Sequence, residues 1–451
     1  MYPASAGKLY PDAMPSLEPA YLPRVMDDEL RDALAFAGAV LIEGPKYCGK
    51  TWTASQVART VVRVDDEQNT QVQSALDVDP GLLLLGQAPV LLDEWQYAPV
   101  LWNLVRRAVD DRQADGQFIL TGSATPDDDI RRHTGAGRFV VLQMRPMSLY
   151  ESGHSSAQVS LAAMFDGAPP RGFDPAWDTA SARQAIAERI VVGGWPANHR
   201  RTVAAAARAN ESYLALIRDH DISRATGRQL SPEVAEKVMR SLARGVSTQM
   251  GEAAIARDAR GGEPGRVLPP GENGADATSR KAVAAHLDAL RRLRIVEDQP
   301  AWGPNLRSAR RLQETPKRHF VDPSLAAAAL GAGVERLTSD VLTLGLLFES
   351  LAIRDLRVYA QPLRGRVAHY RDDEKLEVDA VIELPDGRWG AFEVKLGATQ
   401  RVVDAAAANL RRMASLVDDN RCAFLAVLTN GGIATRREDG VDVVPLTMLS
   451  P

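Results

Sequence analysis

The 451-residue chain has only two cysteines, Cys48 and Cys422, and no apolar run of about 18 residues, the length that a membrane span needs. Its first residues lack the basic and then apolar order of a secretory signal. The formal net charge is only −4, so the chain as a whole does not attract nucleic acid strongly. These absences exclude a disulfide-rich secreted protein and a membrane partner, and they predict a cytoplasmic setting.

The length corresponds to about three average domains. Hydrophobic residues make up 45% and charged residues 25% of the chain, as is typical of globular proteins. The predicted fold class is α/β with several domains: an α/β domain with a parallel sheet at residues 1–152, a mainly helical segment at 153–335, and a second α/β domain at 336–451.

Short apolar runs alternate with amphipathic segments in the first third of the chain, which predicts a parallel α/β sheet. The runs are rich in Val, Leu, Ile and Phe, as strands buried on both faces are. A helix is predicted at residues 51–60. The predicted strands lie at residues 39–42, 61–64, 90–92, 118–120 and 139–142.

The segment between the first predicted strand and this helix has the pattern G-x-x-x-x-G-K-[ST] of a phosphate-binding loop. Glycines let the backbone wrap around phosphates, and successive N–H groups then point at them. Lys50 is expected to neutralise the β- and γ-phosphates, and the Thr51 hydroxyl to hold Mg²⁺. A glycine-containing turn without a ligand is the alternative. The residues predicted to bind ATP are Gly44, Pro45, Lys46, Tyr47, Cys48, Gly49, Lys50 and Thr51.

Two acidic residues follow the predicted strand at residues 90–92. Asp93 comes first and is predicted to hold Mg²⁺ directly or through water. Glu94 is predicted to activate the water that attacks the γ-phosphate. Many strands end in acidic residues, so this interpretation depends on the P-loop that precedes them.

Two more side chains are predicted to act on the γ-phosphate. Thr121 or Ser123, after the strand at residues 118–120, would sense it through a hydrogen bond. Arg138 would act as an arginine finger, from the same chain or from a neighbouring subunit. An ordinary turn and a solvated arginine are the alternatives. An arginine supplied by a neighbour would require an oligomer, so the oligomeric state stays open.

Further short motifs occur in an order found in one protein family. They lie at residues 26–30, 92–96, 119–123, 137–138, 145–151, 193–196 and 213–222. Between about residue 20 and residue 430, the sequence resembles prokaryotic AAA-type ATPases that carry a C-terminal domain of unknown function numbered 4143. The resemblance implies an ATPase fold and a bound nucleotide. The biological role of that family is poorly defined.

Positive charge is concentrated in residues 279–320, with ten basic against four acidic residues. Helices are predicted at residues 251–260 and 279–294, the second with an apolar stripe and Ser279 as N-cap. Together with the strand and basic loop that follow, they resemble a winged helix-turn-helix, which would bind DNA through its major groove. The 17 residues at 261–277 replace the usual tight turn, so a solvated basic face and internal packing remain alternatives.

The last third carries a carboxylate–lysine pattern on a predicted hairpin, residues 377–382 and 389–395. Asp379, Glu393 and Lys395 are expected on one face of it. The two carboxylates would hold Mg²⁺, and the lysine would orient water or stabilise a pentavalent phosphorus. This D-x(n)-E-x-K arrangement resembles the restriction-endonuclease-like superfamily.

Glu349 interrupts the apolar stripe of a helix predicted at residues 342–356, where a carboxylate needs a compensating partner. The resemblance to nuclease folds, in which a helix-borne glutamate often precedes the hairpin, carries over to this residue. The predicted nuclease-like site is therefore Glu349, Asp379, Glu393 and Lys395. A surface salt bridge and an inert docking module are the alternatives.

Three classes of function compete. The preferred one is an ATP-binding and ATP-hydrolysing switch with Mg²⁺ as cofactor, associated with DNA or with a protein partner, because it needs the fewest active parts. The second is an ATP-coupled, metal-dependent DNA nuclease. The third is a toxin-like or signalling effector whose target the sequence does not encode.

Overall fold

The structure is a computed structural model that describes residues 21–122, 135–173, 179–260, 279–304, 314–417 and 420–451. The sheet near the start of the chain is parallel. Among these residues, the five predicted strands are present and pair in parallel, in the order β2-β3-β4-β1-β5. Their bounds are β1 Ala39–Glu43, β2 Thr60–Arg63, β3 Val90–Asp93, β4 Phe118–Gly122 and β5 Phe139–Gln143.

Alternation of side chains explains why these strands are apolar throughout. In β1, Val40 and Ile42 enter one apolar core while Ala39 and Leu41 enter a second core on the other face. Helices cover both faces. They are α1 Met26–Leu34, α2 Lys50–Ser55, α3 Thr70–Val78 and α4 Val100–Arg112.

Helix α2 is shorter than the predicted helix at residues 51–60. It ends at Ser55, and the chain enters β2 at Thr60. The predicted range overlaps β2 only at Thr60, and the N–H groups of Arg59 and Thr60 donate to the carbonyl oxygen of Pro89, which precedes β3.

The middle of the chain is mainly helical. Ser279 caps α11 through the N–H of Ala282, and Val283, Leu287 and Leu290 form the buried stripe of that helix. A short antiparallel hairpin, β8 Val296–Gln299 with β9 Lys317–Phe320, follows α11. The helices are α5 Leu161–Phe165, α6 Thr179–Val192, α7 Val203–Leu216, α8 Ile222–Thr226, α9 Pro232–Arg244, α10 Glu252–Ala259, α11 Arg280–Arg292, α12 Pro323–Leu330 and α13 Val334–Ser339.

A mixed sheet dominates the last part of the chain, in the order β10-β11-β12-β13-β15-β14-β7 among the described residues. The predicted hairpin is present as the antiparallel pair β11–β12. The elements are β7 Gly172–Phe173, α14 Val341–Ala360, β10 Arg366–Arg371, β11 Glu377–Glu383, β12 Trp389–Lys395, α15 Gln400–Val417, β13 Cys422–Thr429, β14 Ile433–Arg436 and β15 Asp442–Pro445.

The segment that follows the predicted boundary near residue 152 pairs with strands of the C-terminal part. Strand β7 extends the C-terminal sheet through β14, and β6 Val159–Ser160 pairs with β16 Leu449–Ser450. Residues 159–173 therefore pack with the end of the chain, because strands far apart in sequence complete each other's hydrogen bonding. One apolar core runs from Met26 to Leu449 through all three parts. None of the described helices is long and apolar enough to span a membrane.

Candidate nucleotide site and carboxylate cluster

The P-loop begins where β1 ends, and both of its fixed glycines are required by geometry. A Cβ atom on Gly44 would lie 2.3 Å from the carbonyl oxygen of Met144, which follows the neighbouring strand β5. Gly49 has φ = 107°, a left-handed conformation that favours glycine, and α2 starts immediately after it. The sequence pattern thus has a direct steric reason.

Lys50 lies inside this loop. Its side-chain Nζ donates to the carbonyl oxygens of Gly44, at 3.0 Å, and Pro45, at 2.9 Å. The residue is only 5% exposed. The Lys50 Nζ is thus placed inside the loop, where phosphate oxygens would be stronger acceptors than the carbonyls.

The variable positions of the loop are tied to other parts of the chain. Lys46 forms an ion pair with Asp221 at 2.7 Å. Cys48 is buried, and its carbonyl oxygen accepts from Arg24 at 2.8 Å, whereas Tyr47 is 73% exposed. The loop is therefore anchored on two sides while one aromatic ring faces outward.

Thr51 and Asp93 meet at the carboxyl edge of the sheet. The Thr51 hydroxyl donates to Asp93 Oδ1 at 2.7 Å, and the Thr121 hydroxyl donates to the same oxygen at 2.5 Å. Strand β4 lies between β1 and β3, so all three side chains converge. A hydroxyl and a carboxylate oxygen are hard ligands, and this pair fits the preference of Mg²⁺.

Glu94 follows β3 in a left-handed conformation, with φ = 54°. Burial raises the pKa of its carboxyl group, and a hydrogen bond from the Gln96 amide and the charge of Lys50 oppose this rise. A carboxylate with a raised pKa is a better proton acceptor near neutral pH. The group therefore suits the role of general base that the sequence suggested.

Two predicted phosphate contacts have different outcomes. Ser123 lies outside the described residues, whereas Thr121 is buried and bonded to Asp93. Arg138 precedes β5 and pairs with Asp110 at 2.8 Å. Since β5 runs parallel to β1, Arg138 lies at the amino edge of the sheet, opposite the P-loop. The arginine finger within the same chain is therefore wrong, and the version from a neighbouring subunit stays a prediction.

Arg24 is a site residue that sequence reasoning missed. Its guanidinium contacts the Cys48 carbonyl, pairs with Glu151 at 3.0 Å and donates to the Arg145 carbonyl at 2.7 Å. It thus fixes the P-loop against the chain that follows β5. No spacing rule links a residue before α1 to this loop, so only the fold reveals the contact.

Among the described residues of the basic stretch at 279–320, most basic side chains pair with carboxylates. Arg307, Arg310 and Arg311 lie outside the described residues. Six of the other seven basic side chains form ion pairs with carboxylates. The pairs are Arg280 with Glu252, Arg291 and Arg318 with Asp298, Arg292 with Asp288, Arg294 with Glu43, and Lys317 with the cluster described next.

Lys317, at the start of β9, is the centre of the C-terminal carboxylates. Its Nζ lies 2.7 Å from Glu349 Oε1, 2.7 Å from Glu377 Oε1 and 3.2 Å from Asp379 Oδ1. The Lys317 side chain is 1% exposed. Sequence reasoning counted this lysine among the basic stretch, because nothing in the order of residues connects β9 to the β11–β12 hairpin.

The predicted hairpin residues do come together. Lys395 Nζ lies 2.7 Å from Glu393 Oε2 and 3.4 Å from Asp379 Oδ2. The N–H of Val394 donates to Asp379 Oδ2 at 2.9 Å, and the Asn409 amide donates to Glu393 Oε1 at 3.3 Å. The hairpin thus gathers Asp379, Glu393 and Lys395, with Glu349 reaching them from α14 through Lys317.

Asp379 and Glu393, the predicted Mg²⁺ ligands, are each in contact with a lysine ammonium group. Burial would raise the pKa of Asp379, but the charges of Lys317 and Lys395 outweigh it and hold that pKa below its usual range. Burial, and then the charge of Asp379, raise the pKa values of Glu349 and Glu393. In the described part of the chain, no group of three or more His, Cys, Asp or Glu side chains is arranged to hold a metal. Ammonium groups occupy these oxygens instead.

The parallel sheet and its glycine-bounded loop define the class: a P-loop ATPase of the AAA type. Family models match an AAA domain at residues 37–153, a domain of unknown function (DUF8612) at 183–336 and a domain of unknown function (DUF4143) at 344–449. The chain thus carries an AAA domain and a C-terminal domain of unknown function 4143, as the motifs indicated. The AAA domain supports the binding and hydrolysis of ATP.

The similar proteins that are known do not specify a role. Uncharacterized proteins of Mycobacterium tuberculosis and Mycobacterium bovis are each 24% identical over 418 residues, covering 92% of this chain and 82% of theirs. A Walker-type ATPase structure of Pyrococcus abyssi covers 67% of this chain and 94% of its own, with 14% identity and a TM-score of 0.37. A Vibrio cholerae protein structure has 9% identity over 90% of this chain and 94% of its own, with a TM-score of 0.20.

Proposed function

We propose that this protein is a nucleotide-dependent switch that binds ATP with Mg²⁺ in its P-loop, hydrolyses it, and transmits the nucleotide state to its C-terminal part. The observation that carries the proposal is the convergence of Lys50, Thr51 and Asp93 at one edge of the parallel sheet, with a hydrogen bond of 2.7 Å joining the last two. This combination of a cation, a hydroxyl and a carboxylate suits a magnesium-bound triphosphate.

Each residue has a defined task in this proposal. Lys50 would exchange its carbonyl partners for β- and γ-phosphate oxygens. Thr51 and Asp93 would hold Mg²⁺, which when bound supplies positive charge next to the phosphates. Glu94 would orient the attacking water and accept its proton, a role that its raised pKa favours.

Transmission to the rest of the molecule is proposed to run through ion pairs on the β8–β9 hairpin. Glu43, the last residue of β1, pairs with Arg294, which lies two residues before β8. Arg145, just after β5, forms two hydrogen bonds to Glu297 on β8, at 2.6 and 2.9 Å. Glu297 also lies 3.5 Å from Arg357 on α14. A shift at the carboxyl edge of the sheet therefore reaches the C-terminal part within two side-chain contacts.

Association with DNA is not part of this proposal. The ion pairs of the basic stretch leave few described cations to contact phosphates, and phosphate contacts provide most of the affinity of non-specific DNA binding. We expect no retardation of a DNA duplex in a gel-shift assay at physiological salt, with ATP or with ADP. Retardation that depends on the nucleotide would restore the DNA-associated version of the switch.

Calorimetry with the full chain tests the proposed function. We expect the wild type to bind ATP in the presence of Mg²⁺ and Lys50→Ala to lose this binding, because the positive charge inside the loop is removed. Lys237→Ala, which removes an exposed lysine on α9, is the matched control and keeps wild-type binding. A folded wild type that takes up no ATP, or equal ATP affinities of the wild type and Lys50→Ala, would refute the proposal.

A further inference from the structure

We infer that Lys317 is the resident cation of the C-terminal carboxylate cluster and closes this cluster to divalent metal ions. A lysine ammonium has three N–H donors. Here three carboxylates, those of Glu349, Glu377 and Asp379, surround it at 2.7, 2.7 and 3.2 Å. Since the lysine side chain is 1% exposed, water does not compete appreciably for these donors.

The lysine and the carboxylates come from different parts of the chain. Lys317 lies within residues 183–336 and the carboxylates within 344–449, the spans of two separate family models. Gln299, the partner of Lys317 on β8, donates from its amide to the main-chain oxygen of Asp379 at 2.9 Å. His319 contacts the Gln299 amide oxygen at 3.0 Å. The β8–β9 hairpin is thus hydrogen-bonded to β11, and this bond helps to fix the position of the Lys317 ammonium.

A divalent cation and this ammonium would use the same oxygens. Asp379 Oδ1 contacts Lys317, while Asp379 Oδ2 accepts from the Val394 N–H and lies 3.4 Å from Lys395. Both oxygens of the central carboxylate are therefore engaged. A metal held by Glu349, Glu377 and Asp379 Oδ1 could enter only by displacing Lys317, which would leave a buried ammonium without partners, and such a group is costly. In the conformation described, the cluster therefore joins two parts of the chain through the ion pairs of Lys317.

Titration of nucleotide-free full-length protein with Mn²⁺, followed by the electron paramagnetic resonance signal of free Mn²⁺, tests this inference. We expect the wild type and Asp379→Asn to bind the same number of Mn²⁺ ions, because the cluster contributes no site. Lys317→Met should bind one Mn²⁺ ion more than the wild type, since it frees buried carboxylates. The double variant Lys317→Met/Asp379→Asn should lose it again.

Lys395→Met is the control for charge alone, because it removes one positive charge from the same cluster and leaves Lys317 in place. It should gain no Mn²⁺ site, and an equal gain would overturn the role of Lys317. If Lys317→Met does not fold, the wild type still decides the question. One Mn²⁺ ion that binds the wild type and is absent from Asp379→Asn would show that the metal enters despite Lys317.

Discussion

Arg354 on α14 is the strongest point at which to test how the three parts of the chain are held together. Its guanidinium pairs with Asp322 and Asp355, each at 2.7 Å, and all three side chains are at most 2% exposed. Asp322 also accepts from the N–H of Gly194, and Asp355 from the N–H of Leu149. One arginine thus neutralises two buried carboxylates that receive main-chain hydrogen bonds from the other parts.

Replacement Arg354→Met keeps most of the side-chain volume but leaves both carboxylates buried without a cation. Removing one partner of a buried ion pair typically costs about 3–5 kcal/mol, and we expect a loss of this size in the free energy of unfolding. Equilibrium unfolding in urea at pH 7, followed by circular dichroism, measures it. A single transition is expected to shift as a whole, because the apolar core is continuous from Met26 to Leu449.

Arg388 provides the matched control. It pairs with Asp386 at 2.7 Å, but its side chain is 42% exposed, so solvent screens the pair. The urea midpoint of Arg388→Met should stay close to that of the wild type. The reasoning would be refuted if Arg354→Met lost less than about 1 kcal/mol, the range of exposed ion pairs, or if both variants lost the same amount.

Three further predictions concern hydrolysis, pH and coupling. Glu94→Gln should retain ATP affinity in calorimetry but release phosphate slower by about 10²-fold or more, since the general base is lost; an unchanged rate would exclude this role. Burial, with the charge of Arg189, lowers the pKa of His154 to about 4. The unfolded chain therefore binds more protons than the folded one between pH 6.5 and about 4, so stability falls as pH falls through this window. His154→Asn should show a shallower fall in urea unfolding, and an identical slope would contradict it. Arg294→Met, which breaks the pair with Glu43 but leaves the Arg145–Glu297 pair, should reduce any difference in hydrogen exchange of β8–β9 between ATP and ADP states; an unchanged difference would exclude the Arg294 route.

Local sequence patterns determined much of the nucleotide site. The five buried strands, the loop at residues 44–51 and the β11–β12 hairpin followed from apolar runs, glycines and alternation. Each of these signals acts within a short stretch of chain, where steric limits and side-chain period fix the backbone. The predicted helix extended to residue 60, whereas α2 ends at Ser55 and the N–H groups of Arg59 and Thr60 bond to Pro89, a contact distant in sequence.

What the tertiary structure decided is which charges meet. The edge of the sheet at which Arg138 lies follows from parallel strand pairing, and the contact of Arg24 with the P-loop follows from packing. Lys317 looked like one cation in a basic stretch, yet it is buried among carboxylates far along the chain. The sequence by itself determined which backbone segments form strands, helices and a phosphate loop. Only the folded chain decided whether a charge faces solvent or a partner, because Coulomb energies depend on distance and burial, which residue order does not encode.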